Sequence, residues 1–110
     1  MRKWSKWQPI PEPENCRQID GPAESGVYQI RNKESNKLIL FGIGNPCQGR
    51  MRSLFPKPYG TGTRNNACKR EYVLHNWKNL EYRTMETDTT EEAKTVENAL
   101  KAKKNHLFNT

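Results

Sequence analysis

Between Lys37 and Arg70 the chain has neither aspartate nor glutamate. Seven basic residues lie in that stretch: Lys37, Arg50, Arg52, Lys57, Arg64, Lys69 and Arg70. They leave 12 of the 19 basic residues to balance the 12 acidic ones, so the whole formal charge of +7 is local. Long apolar runs are also missing. None approaches the ~20 residues needed to cross a bilayer, so no helical membrane span is expected. The basic N-terminus has no apolar segment behind it, so a secretory signal is not expected either, and an intracellular location is. Cysteine is scarce and odd in number, at positions 16, 47 and 68. That count and wide spacing do not read as a disulfide framework. No pair has metal-finger spacing, so free thiols in a reducing compartment are expected.

Hydrophobic residues make up only 33% of the 110. One small domain with a modest core is therefore the expectation. Aromatic residues, at 9%, argue against a wholly disordered chain. The concentrated positive field raises the local concentration of a polyanion and steers its approach, which favours nucleic acid as partner. No recognition helix or zinc finger is evident, so sequence-specific readout is not supported.

The chain divides into an N-terminal extension, residues 1–24, and a domain over residues 25–110. The extension is Pro-rich and expected to be irregular: Pro9, Pro11, Pro13 and Pro22 are four of the seven prolines. Trp4 and Trp7, three residues apart, suit either a strap packed on the domain or a partner contact. Gly26 to Arg31 reads as a strand rich in residues that favour a pleated surface. Leu38 to Phe41 reads as a second strand, whose unbroken apolar run suggests burial on both faces. The short polar turn between them predicts an antiparallel hairpin. Gly42 and Gly44 then read as the release into a turn. A short helix is expected over Gln48–Phe55, a loop over Pro56–Asn66, a helix over Ala67–Trp77 and a third strand over Leu80–Met85. The last helix has the clearest signal. Thr89 with Glu92 forms a capping box. Ala93, Val96 and Leu100 follow the helical repeat, and Lys101, Lys103 and Lys104 suit its negative end. The expected fold is α/β (α+β): a small, mostly antiparallel three-stranded sheet flanked by helices.

Glu97 stands out on that helix. It adjoins Val96 and lies one turn from both Ala93 and Leu100, so it borders the apolar stripe, where an unpaired carboxylate is costly. A solvated pair with Lys101 is the plain alternative, worth only ~0.3–0.5 kcal/mol. Magnesium often takes only one or two protein carboxylates, with phosphate and water completing its shell. Arg50 carries a permanent charge that can fork onto two phosphate oxygens, with Arg52 as its close rival. Tyr28, in the first strand, has a phenol that is a poor base unless a nearby cation lowers its pKa.

Gly26-Val27-Tyr28, then Leu40-Phe41-Gly42, then Arg50 eight residues after Gly42, then Glu97 on a late helix and Asn109 twelve residues on: this series resembles the GIY-YIG nuclease superfamily. The resemblance covers roughly residues 25 to 110. It implies a metal-dependent endonuclease, with DNA favoured over RNA and Mg2+ or Mn2+ as cofactor. Glu97 would hold the metal, Tyr28 would help activate water, Arg50 would grip the scissile phosphate and Asn109 would buttress the site. Arg52, Lys57, Tyr59, Arg64, Lys69 and Arg70 would contact the nucleic acid, and His75 is an auxiliary acid or base. Leu40 stands where the second motif carries its tyrosine, so one phenol is missing. A catalytically impaired nucleic-acid-binding module of the same fold is the alternative. The small size leaves a homodimer or a protein partner as candidate sources of specificity.

Overall fold

A computed structural model describes residues 3–55 and 67–108. Within them lies a compact α+β domain built on a four-stranded antiparallel sheet. Lys57, Tyr59, Arg64 and Asn109 fall outside the described residues.

Strand β1 is Gln8–Pro9, β2 is Gly26–Asn32, β3 is Lys37–Gly44 and β4 is Leu80–Glu86; helix α1 is Cys47–Arg52, α2 is Ala67–Asn76 and α3 is Thr90–Lys103. The sheet order is β1-β4-β2-β3. The β2–β3 hairpin turns at Asn32, whose Oδ1 accepts from the backbone N–H groups of Glu34 and Ser35 at 3.0 and 3.2 Å. Asn36 closes the turn at φ 59°, a left-handed conformation that asparagine tolerates better than most residues. In register, Tyr28 faces Gly42 on β3 and Thr84 on β4.

Two expectations are corrected. The sheet has four strands, not three. The additional one is the two-residue β1, pairing Gln8 with Tyr82 and Pro9 with Glu81 at the edge of β4. A proline lacks a ladder donor, so it is tolerated there and not in the centre. The second correction concerns Gly42 and Gly44, which continue β3 instead of releasing the chain. Neither carries a side chain, and the space this leaves admits other groups, as described below.

Alternation along β2 and β4 builds a core on each side of the sheet. Tyr28, Ile30, Leu40 and Tyr82 join Met51, Leu54, Phe55 and Val73 on the α1–α2 side. Val27 and Phe41 meet Ala93 and Leu100 of α3 on the other. Helix α3 starts at Thr89, whose hydroxyl accepts from the Glu92 N–H at 3.1 Å. It ends at Lys104, at φ 51°. The tail then lies along β3, with the Leu107 and Phe108 N–H groups donating to the Leu38 and Ile39 carbonyls at 3.1 and 2.7 Å.

The segment ahead of β2 crosses the sheet as a strap. The Ser5 N–H donates to the Thr84 carbonyl at 2.7 Å, and the Ile10 N–H to that of Leu80 at 3.0 Å. Trp4 packs beside the α3-side core. The Arg83 guanidinium lies 4.5 Å from the Trp4 ring centre and 4.6 Å from that of Trp7, and Arg31 lies 4.3 Å from Trp7. Of the two readings of these tryptophans, the structure takes the strap. No described helix is long and apolar enough to cross a membrane.

Candidate active site

A side chain on residue 42 would collide with Tyr28. A Cβ built there falls 2.6 Å from the Tyr28 Cζ and still closer to its hydroxyl. The bare Gly42 backbone is therefore what lets the phenol lie across β3. Gly44 does the same for α1, since a Cβ there would sit 2.6 Å from that of Arg50. Helix α1 is pinned by buried Cys47 and Met51. The Cys47 and Gln48 N–H groups donate to the carbonyls of Glu24 and Pro22 at 2.9 and 3.1 Å. So held, the helix presents an exposed Arg50 beside the end of β3.

The result is a cavity of about 120 Å³ lined from five elements: Tyr28 from β2, Gly42 from β3, Arg50 from α1, Lys69 from α2 and Glu97 from α3. Phe41, Ile43 and Leu54 supply apolar walls and Ser53 a hydroxyl. Glu97 is half-buried, between the fully enclosed core and solvent. Among the described residues it is the one carboxylate lining this cavity, in the company of two cationic side chains, Arg50 and Lys69. A larger cavity of about 460 Å³ lies under the strap, but its charged residues, Lys3, Asp20 and Glu86, include none of the residues singled out in the sequence.

Burial sets the protonation states. Desolvation pushes the Tyr28 phenol up to about 12; Arg50 pulls against it, while Cys47 and Glu97 add to the rise. The cation is present but loses to desolvation, so at neutral pH the phenol keeps its proton and can donate a hydrogen bond rather than act as a base. Burial also pushes the Cys47 thiol up to about 12, which leaves it inert. The Lys69 ammonium is pulled below its ordinary value, first by burial and then by Arg50, with Lys101 adding to the fall and Glu97 opposing it.

Among the described residues no three His, Cys, Asp or Glu side chains cluster as metal ligands. A closed zinc site does not fit that donor set. A hard divalent cation does fit: it needs one carboxylate, here Glu97, and draws its other oxygens from water and phosphate.

Tyr28, Arg50 and Glu97, far apart in sequence, thus meet in one cavity. Arg52 does not join them; its Nη2 donates to the Ile19 carbonyl at 3.2 Å and ties α1 to the strap. Arg70 is only 8% exposed, which makes it a poor contact for a polyanion. His75 is exposed on α2 and does not line the cavity. Leu40 is wholly enclosed in the core. Among the described residues no second phenol lines the cavity; Tyr72 instead packs edge-on against Phe108, ring centres 5.8 Å apart. Lys69 reads in the sequence as one more member of the basic stretch. Its place in the cavity follows from how α2 packs, for which no local pattern exists. No family model, curated protein or solved structure matches the chain.

Proposed function

We propose that this protein is a metal-dependent endonuclease that hydrolyses nucleic-acid phosphodiesters, with DNA the favoured substrate. One observation carries the reading: a buried phenol, a guanidinium, an ammonium and a single carboxylate, from four separate elements, line one small cavity. Two cations there suit the two oxygens of a phosphodiester and the charge that builds on them during attack. Arg50 grips the phosphate, and Lys69 adds a second positive charge. The Tyr28 phenol, protonated at neutral pH, donates a hydrogen bond that orients either the attacking water or a phosphate oxygen. Apolar Phe41, Ile43 and Leu54 limit competing water. Glu97 would hold Mg2+ or Mn2+, which supplies charge neutralisation and polarises the phosphate when bound. The resemblance to GIY-YIG nucleases supports the same assignment of Tyr28, Arg50 and Glu97.

The test is nicking of supercoiled plasmid with and without magnesium, by the native chain and by Glu97→Gln. Metal-dependent nicking that disappears in the variant supports the enzyme. Equal background in both, with salt-sensitive DNA binding intact, points to the second reading, a nucleic-acid-binding module without catalysis. The observation favouring that second reading is Leu40: it occupies the core where the motif's second tyrosine would stand, and among the described residues no other phenol lines the cavity.

A further inference from the structure

One row of side chains crosses the sheet on its α3 side and links the strap to the tail. Gln29 on β2 stands opposite Arg83 on β4 and Phe41 on β3, and residues opposed in this way share a face. At one end of the row Arg83 is stacked on Trp4 and Trp7 of the strap. At the other the His106 ring, from the tail, packs edge-on against Phe41, with ring centres 4.6 Å apart. His106 is only 8% exposed.

The hydrogen bonds along the row fix each partner's role. Arg83 offers donors alone, so Gln29 Oε1 accepts its Nε–H at 2.7 Å. The Gln29 amide must then turn its NH2 toward His106 Nε2, 3.0 Å away. That ring nitrogen is therefore the bare one. The ring proton is on Nδ1, which is buried and, among the described residues, has no partner. A second proton on the ring would set N–H against NH2. Turning the amide over only moves the conflict to Arg83, because with the ring charged the row has one acceptor between two donors. The charges that bear on the ring, Lys103 from the end of α3 and Arg83 from β4 through Gln29, are both positive. Strands β2 and β3 face it with neutral Gln29 and Phe41. The tail is the end of the row that can yield. Arg83 is stacked on two rings, whereas the residue after His106, Leu107, is 61% exposed.

We propose that His106 is a proton-operated latch: it holds the tail on β3 while the imidazole is neutral and releases it when the ring is protonated. Release uncovers the outer edge of β3, where the Leu38 and Ile39 carbonyls lose the N–H groups of Leu107 and Phe108 and become open to another strand. The latch does not depend on the nuclease reading. Burial first, and then Lys103, hold the docked ring below its ordinary 6.5. A freed tail takes up the proton at 6.5 and a docked one only lower, so docking is intact above pH 6.5 and weakens as pH falls below it.

The experiment follows the 15N-labelled full chain by NMR from pH 8 to pH 4.5. The Leu107 and Phe108 amides are expected to leave their docked positions with a midpoint below pH 6.5, together with the His106 ring and the Gln29 side-chain NH2, while the amides of β2 and β4 keep theirs. His106→Gln retains an acceptor for Gln29 and cannot be charged, so its tail stays docked throughout. Gln29→Glu gives an acceptor to Arg83 and to a protonated ring alike, so the His106 midpoint rises above 6.5 and acid tightens the tail. A native tail still docked at pH 4.5, loss of the whole sheet together with the tail, release at the same pH in His106→Gln, or an unmoved His106 midpoint in Gln29→Glu overturns the proposal. If Gln29→Glu does not fold, the comparison with His106→Gln decides alone.

Discussion

Arg31 and Arg83 on the strap side and Arg50 and Lys69 around the cavity are all half-buried or exposed cations of one small domain, yet their surroundings differ. Arg83 is stacked on Trp4 and Trp7, and its Nε donates to Gln29 Oε1 at 2.7 Å. That bond orients the Gln29 amide, so its Nε2 donates to His106 Nε2 at 3.0 Å. Arg31 stacks on Trp7 and pairs with Glu81 at 2.9 Å. Arg50 and Lys69 instead line a cavity together with the Glu97 carboxylate. Charge committed to rings and carboxylates holds a fold together. Charge that lines a cavity, as Arg50 and Lys69 do, is what the proposed nuclease would present to a phosphate. On the proposed reading, what surrounds a basic residue, not how many there are, decides which ones serve the reaction.

The contrast can be broken by mutation. The largest effect is expected from Glu97→Gln, which should reduce magnesium-dependent nicking to background while the melting temperature stays within a few degrees. Retained nicking would remove Glu97 from the site. Arg50→Ala should slow nicking by about a hundredfold, with stability changed by no more than ~0.5 kcal/mol, as for an exposed residue. Arg83→Ala should do the opposite. It loses two ring contacts and leaves buried Gln29 short of a partner, so urea unfolding should show a loss of about 2–3 kcal/mol with nicking per folded molecule little changed. If Arg83→Ala slows nicking as much as Arg50→Ala does, the division into holding and working cations fails.

The phenol offers a pH test. Tyr28 ionises at 10.0 in its ordinary state and at about 12 in the fold. The unfolded chain therefore gives up this proton first, and stability is intact below pH 10 and declines as pH rises from 10 to 12. Cys47 acts with the same sign from 9.0 to about 12. Urea unfolding at pH 8 and pH 11 should show Tyr28→Phe losing about 1 kcal/mol less than the native chain between the two. Identical losses would mean that the phenol is not held in its neutral form by burial. The smallest effect is structural: Thr89→Ala, which removes the cap of α3, should cost about 1 kcal/mol and leave nicking unchanged. A parallel loss of activity would show that the position of Glu97 depends on that cap.

Much of the fold was readable from local pattern. The hairpin, the Leu80 strand and α3 with its cap announce themselves through alternation, turn residues and a 3.6-residue repeat, all properties of neighbours along the chain. The edge strand β1 does not, because two residues in a run of prolines carry no strand signal and only the exposed edge of β4 makes them one. Gly42 and Gly44 also read as a break. They are strand residues because the Tyr28 ring and α1 fill the space a side chain would have taken.

The site divides in the same way. That the chain would be basic in one block, with a strand tyrosine, an arginine and a helix-borne carboxylate at suggestive intervals, is a matter of residue order alone. Which of seven cations faces the carboxylate is not. Arg52 and Arg70 carry the same charge as Arg50 and Lys69, but packing sends Arg52 to the Ile19 carbonyl and encloses Arg70. Burial likewise overrides the neighbouring arginine in setting the state of the phenol. Local order specifies chemistry and periodicity, because both act between adjacent residues. Proximity, desolvation and the sign of a cavity depend on long-range packing, and no stretch of sequence contains them.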